Sequence, residues 1–183
     1  MTNTASGRKL LLVVDMQRDF IDGALGTSEA QAILPQVVRK VRGFDGEVIF
    51  TRDTHGEDYL TTQEGRLLPV PHCLRGTEGW QIHPSLEALR SQPAFDKPSF
   101  GSLELAQLLQ DMHARAPLES VTLVGLCTDI CVISNALIIK AALPEIPVIV
   151  DAACCAGVSP QSHRNALKAM AACQVIIENA PDE

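Results

Sequence analysis

The chain has 183 residues, 46% of them hydrophobic, and a net charge of −7 at neutral pH. That length and apolar content suit one globular domain over 1–183 with a sizeable core. The acidic balance excludes a phosphate-backbone binder, which needs a basic face, so nucleic acid is not an expected partner.

The first apolar run, residues 10–14, ends at Asp15 and is too short for a signal-peptide core or a membrane span. A cytoplasmic protein without a membrane partner is expected. In that reducing compartment the six cysteines (Cys73, Cys127, Cys131, Cys154, Cys155 and Cys173) do not read as a disulfide framework, and their spacing contains no paired C-x-x-C zinc ribbon. Most should be small buried hydrophobes.

Residues 10–14 are the first predicted strand, followed by helical periodicity over about 28–42 and a second strand at 47–51. The irregular stretch 53–84 is expected to form a loop-rich lid rather than a separate domain. A strand candidate at 93–97 precedes a helix at about 101–114, a strand at 121–124 and a helix at about 129–142. A strand at 147–150 leads to a helix at about 159–172, with Ser159 as N-cap and Pro160 at its first position, and a last strand at 174–177. Continuous apolar runs suit strands buried on both faces. Their alternation with helices predicts an α/β fold: a doubly wound, mainly parallel sheet of about six strands with helices on both faces. Reacting groups in such folds sit at the carboxyl ends of the strands.

The first strand runs into Asp15-Met-Gln-Arg-Asp-Phe20 instead of a G-x-G-x-x-G turn, and neither a P-loop nor a G-x-S-x-G elbow occurs. The strand ends offer Asp15, the pair Asp53 and His55, Lys97, and the turn from Gly125 to Val132 that carries Cys131. At the start of a helix, free N–H groups and the dipole stabilise a thiolate, so Cys131 is expected to fall below the free thiol value of about 8.5. Each residue alone has an ordinary reading, as a buried inert cysteine or a solvated lysine. Their convergence on one sheet edge raises the chemical reading above it. Cys127 competes with Cys131, but it lies in the turn, where its backbone N–H is better placed than its sulfur. A thiolate metal pair at C-x3-C spacing lacks a second soft pair. Asp53, His55, Glu57, Asp58, Glu64 and His72 crowd the 53–72 loop, a donor set for zinc, manganese or iron unless it is a chance polar loop. His83, His113 and His163 read as surface or helix-face residues.

Together these residues resemble the isochorismatase-like cysteine hydrolases, and among them the nicotinamidase/pyrazinamidase branch, from Leu10 to about Ile177. The resemblance is carried by Val14-Asp-Met-Gln-Arg-Asp-Phe20, Thr51-Arg-Asp-Thr-His55, Leu68-Pro-Val-Pro-His-Cys73, Phe95-Asp-Lys-Pro-Ser-Phe100 and Gly125-Leu-Cys-Thr-Asp-Ile-Cys-Val132. It implies a catalytic triad of Asp15, Lys97 and Cys131, and a cis peptide at Leu126–Cys127 with the backbone N–H groups of Cys127 and Cys131 as oxyanion hole. It implies one divalent metal ion, zinc first and manganese or iron as alternatives, held by Asp53, His55 and His72 with Glu64 as fourth ligand. Phe20 and Leu126 would lie against the substrate. The implied reaction converts nicotinamide, or a pyrazinamide-like aromatic amide, to its acid and ammonia through a thioester on Cys131. A homo-oligomer is expected.

One departure concerns Pro69, which stands where several nicotinamidases carry an aromatic residue, so the ring wall would fall to Trp80 or Phe100. The alternatives are another hydrolase of the superfamily, such as an isochorismatase or a ureido or carbamoyl amidase, and an inactive binding member. Asp53, His55 and His72 together favour the nicotinamidase branch, and the triad argues against inactivity.

Overall fold

The structure, a computed structural model, describes residues 8–180. In chain order the elements are β1 (Arg8–Val14), α1 (Arg18–Ile21), α2 (Ser28–Gly43), β2 (Glu47–Asp53), a 3-10 turn (Tyr59–Thr61), α3 (Gln63–Leu67), α4 (Pro84–Glu87) and β3 (Phe95–Lys97). They continue with α5 (Leu103–Arg115), β4 (Leu118–Leu126), a π-helical turn (Thr128–Val132), α6 (Ile133–Ala142), β5 (Val148–Ala156), α7 (Pro160–Ala172) and β6 (Ile176–Glu178). Each predicted strand and helix is found. The stretch assigned to a lid holds the 3-10 turn and α3 between β2 and α4.

The six strands form one parallel sheet in the order β3-β2-β1-β4-β5-β6. The chain winds outward from β1 to β3 and then returns to place β4 on the other side of β1. The order therefore reverses between β1 and β4, where such folds open a crevice at the carboxyl ends of their strands.

β1 shows why the sheet needs helices on both faces. Leu10, Leu12 and Val14 pack with Leu105 and Leu109 of α5, Val132 of the π turn, Ile139 of α6 and Met170 of α7. Leu11 and Val13 face the opposite way, toward Ile33, Val37 and Val41 of α2 and Leu86 of α4. A strand with apolar residues at every position is buried on both sides, as the continuous run predicts. The longer helices start on side-chain caps: Thr27 accepts from Ala30 N, Ser102 from Leu105 N, and Ser159 forms a capping box with Ser162. Among the described residues no helix is long and apolar enough to cross a membrane.

Two boundaries differ most from the sequence prediction. β5 runs six residues beyond 150, because Cys155 and Ala156 pair with Gly125 and Leu126 of β4. Small residues with little strand preference are thus carried into the sheet by their neighbour. The helix predicted from 129 begins instead as the π turn, in which Val132 N donates to Cys127 O at 3.0 Å, and regular α-helix starts at Ile133.

Gly125 lets β4 approach β1 at the crevice. Its φ is +120°, and a Cβ there would stand 2.1 Å from the Val14 carbonyl oxygen. Gly125→Ala should cost about 2–4 kcal/mol by urea denaturation. Gly43→Ala, at the end of α2 with nothing within 4 Å, should change stability by less than about 1 kcal/mol.

Candidate active site

Four strand ends meet at the crevice, and the polar residues after β1 hold them in register. Asp15 leaves the strand in the left-handed region with φ of 48° and is fully buried. Thr51 of β2 donates its hydroxyl to Asp15 Oδ1 at 2.6 Å and accepts from Asp15 N at 3.2 Å. The Gln17 amide clasps the backbone of Asp53, donating to its carbonyl at 2.8 Å and accepting from its N–H at 2.7 Å. Asp19 accepts from Cys73 N at 2.7 Å, which anchors the chain immediately after His72. The Phe20 ring stands 5.5 Å from that of His72. Asp15, Gln17, Asp19 and Phe20 thus each reach a different part of the site, which accounts for the spacing of the first motif.

Lys97, the last residue of β3, is fully buried. Its ammonium lies 2.6 Å from Asp15 Oδ2, 3.5 Å from Asp53 Oδ1 and 3.4 Å from Cys131 Sγ, and it donates to Ser99 O at 3.1 Å. Burial alone would discharge this lysine, but Asp15 foremost, with Cys131 and Asp53, outweighs it and raises its pKa. Burial also raises Asp15, against the pull of Lys97. Asp15 Oδ2 is the one buried side-chain oxygen or nitrogen, among the described residues, that makes no directed hydrogen bond. Its close neighbour is the Lys97 ammonium, an ion-pair contact.

Cys131 sits in the π turn between β4 and α6, following a cis peptide at Leu126–Cys127. The expectation of a lowered thiol pKa is not met: burial, reinforced by the Asp15 charge, pushes the Cys131 thiol well up, with Lys97 opposing. Burial and the Asp15 charge thus favour the protonated thiol. The Cys127 thiol, raised to about 12 mainly by burial, offers no better nucleophile.

Beside this cluster Asp53, His55, Glu64 and His72 bring one ligand atom each to within 4.8 Å of all the others. His55 Nε2 is 3.0 Å from Asp53 Oδ2 and 3.6 Å from Glu64 Oε1, and His72 Nε2 is 3.8 and 3.7 Å from the same two atoms. A tetrahedral zinc ion with bonds near 2.0–2.1 Å separates its ligands by about 3.3 Å, so the donors are spaced for such an ion. His72 Nδ1 bonds to Val70 O at 2.8 Å, which as an N–H donor leaves Nε2 free to ligate. Burial raises the Glu64 carboxyl and the nearby Asp53 charge adds to it, a cost that a divalent cation would relieve. Two nitrogens and two carboxylate oxygens fit zinc, manganese or iron. Glu57 and Asp58, crowded into the same loop, are exposed and stay outside the cluster.

A cavity of about 550 Å³ opens over both groups, lined by Asp53, Glu64, His72, Cys127 and Cys131 together with Phe20 and Leu126. Phe100 lines it and Trp80 does not. Trp80 instead donates to Thr54 Oγ1 at 2.8 Å while the Arg52 guanidinium lies 3.6 Å above its ring centroid. Of the two aromatic candidates for the wall, the structure uses Phe100.

Two residues of the site escape sequence reasoning. Asn135, on α6 and fully buried, donates to Cys131 O at 2.8 Å and to Phe100 O at 3.0 Å, and accepts from Ser102 N at 3.1 Å. It joins the π turn to the loop that follows Lys97. A polar residue in the apolar run of α6 is the signal that could have found it. His163, expected as a surface or helix-face residue, lies half-buried on α7 and shares a 2.8 Å hydrogen bond with Thr128 of the same turn. His83 caps α4 and His113 accepts from Leu118 N, both outside the cavity.

The chain is similar in sequence and fold to known proteins. A nicotinamidase/pyrazinamidase of Mycobacterium tuberculosis is 27% identical over 138 residues, which is 68% of this chain and 74% of that protein. The crystal structure of a nicotinamidase/pyrazinamidase from Bacillus subtilis superposes with a TM-score of 0.80 at 26% identity, covering 94% of this chain and all of the other. A pyrazinamidase of Pyrococcus horikoshii in complex with zinc gives a TM-score of 0.74 at 26% identity, over 93% of this chain and 98% of the other. The isochorismatase domain family matches residues 9–181, so nearly the whole chain, including every residue of the site, belongs to that family.

Proposed function

We propose that the protein is an amidohydrolase that converts nicotinamide, or a related neutral aromatic amide such as pyrazinamide, to the carboxylic acid and ammonia. The observation that carries this reading is one buried ammonium, Lys97, touching Asp15, Cys131 and Asp53 at the floor of a cavity that the metal-binding tetrad shares. Nicotinamidase and pyrazinamidase relatives at 26–27% identity support the substrate class.

Cys131 Sγ attacks the carboxamide carbon as its proton passes to Asp15 Oδ2. Lys97 stabilises the negative charge, which moves from carboxylate toward sulfur. The backbone N–H groups of Cys127 and Cys131 receive the developing oxyanion, roughly 3–4 kcal/mol per donor in comparable enzymes. Asp15 then returns the proton to the amide nitrogen, the C–N bond breaks, and ammonia leaves a thioester on Cys131. Water, deprotonated by Asp15, adds to the thioester carbon; the C–S bond breaks and the thiol recovers its proton. Asp53, His55, Glu64 and His72 would hold a divalent ion, which supplies a Lewis acid for the ring nitrogen of the substrate. Phe20 and Leu126 press on the ring. A cytoplasmic site of action suits six cysteines that are all free.

Cys131→Ala should lower kcat for ammonia release from nicotinamide by at least about 10³-fold with the fold retained. Activity close to wild type would remove the nucleophile from the mechanism. One equivalent of metal per chain should be found by elemental analysis of the purified protein, and much less in His72→Ala. Chelator treatment should abolish activity, with zinc, manganese or iron restoring it. Asn135→Leu, which strands Cys131 O, Phe100 O and Ser102 N without their partner, should cost about 2–4 kcal/mol in urea denaturation and lower kcat more than it raises KM.

A further inference from the structure

We infer that the cavity selects uncharged aromatic amides bearing an apolar substituent on the ring edge that faces the mouth, rather than the unsubstituted amide alone. The inference rests on the amidase reading above and concerns what else the same site must hold.

The cavity is larger than the reacting group requires. A nine-atom heteroaromatic amide occupies on the order of 150 Å³, the liquid share of about five waters. That leaves more than half of the roughly 550 Å³ unfilled. The remaining space is largely apolar, with Thr27, Gln63 and Ser99 as its uncharged polar lining. Leu25, Leu67, Leu68, Phe100, Ile130 and Val158 line it, and four of these are exposed large hydrophobics: Leu67 at 79%, Val158 at 58%, Phe100 at 42% and Leu68 at 38%. Scattered exposed leucines need no explanation, but a ring of them around one mouth marks a surface that something apolar covers.

Charge decides what that group can be. Among the described residues no lysine or arginine lines the cavity, and its two acids, Asp53 and Glu64, belong to the metal tetrad. The nearest ammonium, Lys97, is committed to Asp15, Asp53 and Cys131 beneath the floor. A carboxylate placed at the mouth, away from the tetrad, would lose its hydration with no side-chain cation there to receive it, a penalty that a neutral apolar group does not incur.

Geometry selects the ring position. With the carboxamide at Cys131 and the ring nitrogen toward the tetrad, the atom between them, C2, faces the buried floor. C5, directly opposite C2, then faces the apolar mouth. Substituents at C4 or C6 would crowd the amide or the ligands, so C5 is the position with room.

The test is a kinetic series on the metal-replete wild type: nicotinamide and its 5-methyl, 5-propyl, 5-butyl and 5-carboxylate derivatives, followed by ammonia release. The expected result is a rise in kcat/KM of about three- to fivefold per methylene, with KM carrying most of it, since burial of the chain acts on ground and transition states alike. The 5-carboxylate should fall below the parent. Val158→Lys should shrink the ratio of 5-butyl to parent and raise that of 5-carboxylate to parent. Hydrolysis of nicotinamide with no gain along the alkyl series, or with the carboxylate preferred, overturns this inference and leaves the amidase reading standing. Absence of ammonia release from every amide, the parent included, overturns that reading and this inference with it.

Discussion

The whole site depends on the charge of Lys97. A buried ammonium is costly, and here it is kept ionised by two carboxylates and also donates to the Cys131 sulfur, each partner delivered by a different strand end. The lysine in turn makes it tolerable for Asp15 and Asp53 to be buried together. Without it, two desolvated carboxylates would face one another across the crevice. The cluster is therefore held by mutual compensation: no member is stable there alone, and each fixes where the others can stand. Catalysis and folding draw on the same contacts, which is why the chemistry sits at the reversal of strand order and not on a surface loop.

Around that charge the fold supplies hydrogen bonds to backbone groups that would otherwise be orphaned. Gln17 closes both polar groups of Asp53, Asp19 closes Cys73 N, and Asn135 closes three groups at once between the nucleophile turn and the lysine loop. Irregular chain can be buried only where such partners exist. The crevice contains a left-handed Asp15, a glycine that admits no side chain and a π turn, and each unusual conformation is enclosed by groups that leave it no alternative.

Much of this was legible in the chain. The apolar runs mark the central strands because burial on both faces leaves no room for alternation, and the places of Asp15, Asp53, Lys97 and Cys131 at strand ends put them on one edge; the strand order itself is visible only in the structure. The extension of β5 was not legible, since Asp151 to Ala156 have little strand preference and are ordered by their partner. The rise of the thiol pKa is hidden for a related reason: a helix start is visible in sequence, but complete burial beside Asp15 is not, and burial is the larger effect. Trp80 carried the chemistry of a ring wall yet was claimed by Arg52 and Thr54 behind the site. Asn135 and His163 belong to no motif, and their roles exist only once α6 and α7 are packed against the turn.

The π turn has a consequence for how the nucleophile is aimed. Its Val132-to-Cys127 bond encloses one residue more than a regular helical turn does, so the five residues after β4 cover an arc that four would otherwise cover. That surplus residue lets Val132 enter the apolar core beside β1 while Cys131, its neighbour, presents sulfur to Lys97. The turn acts as an indexing step: it sets the rotational phase of α6 against the sheet independently of the direction in which the thiol points. A helix of ordinary winding would tie the two together, and seating α6 well would turn the sulfur away from the ammonium.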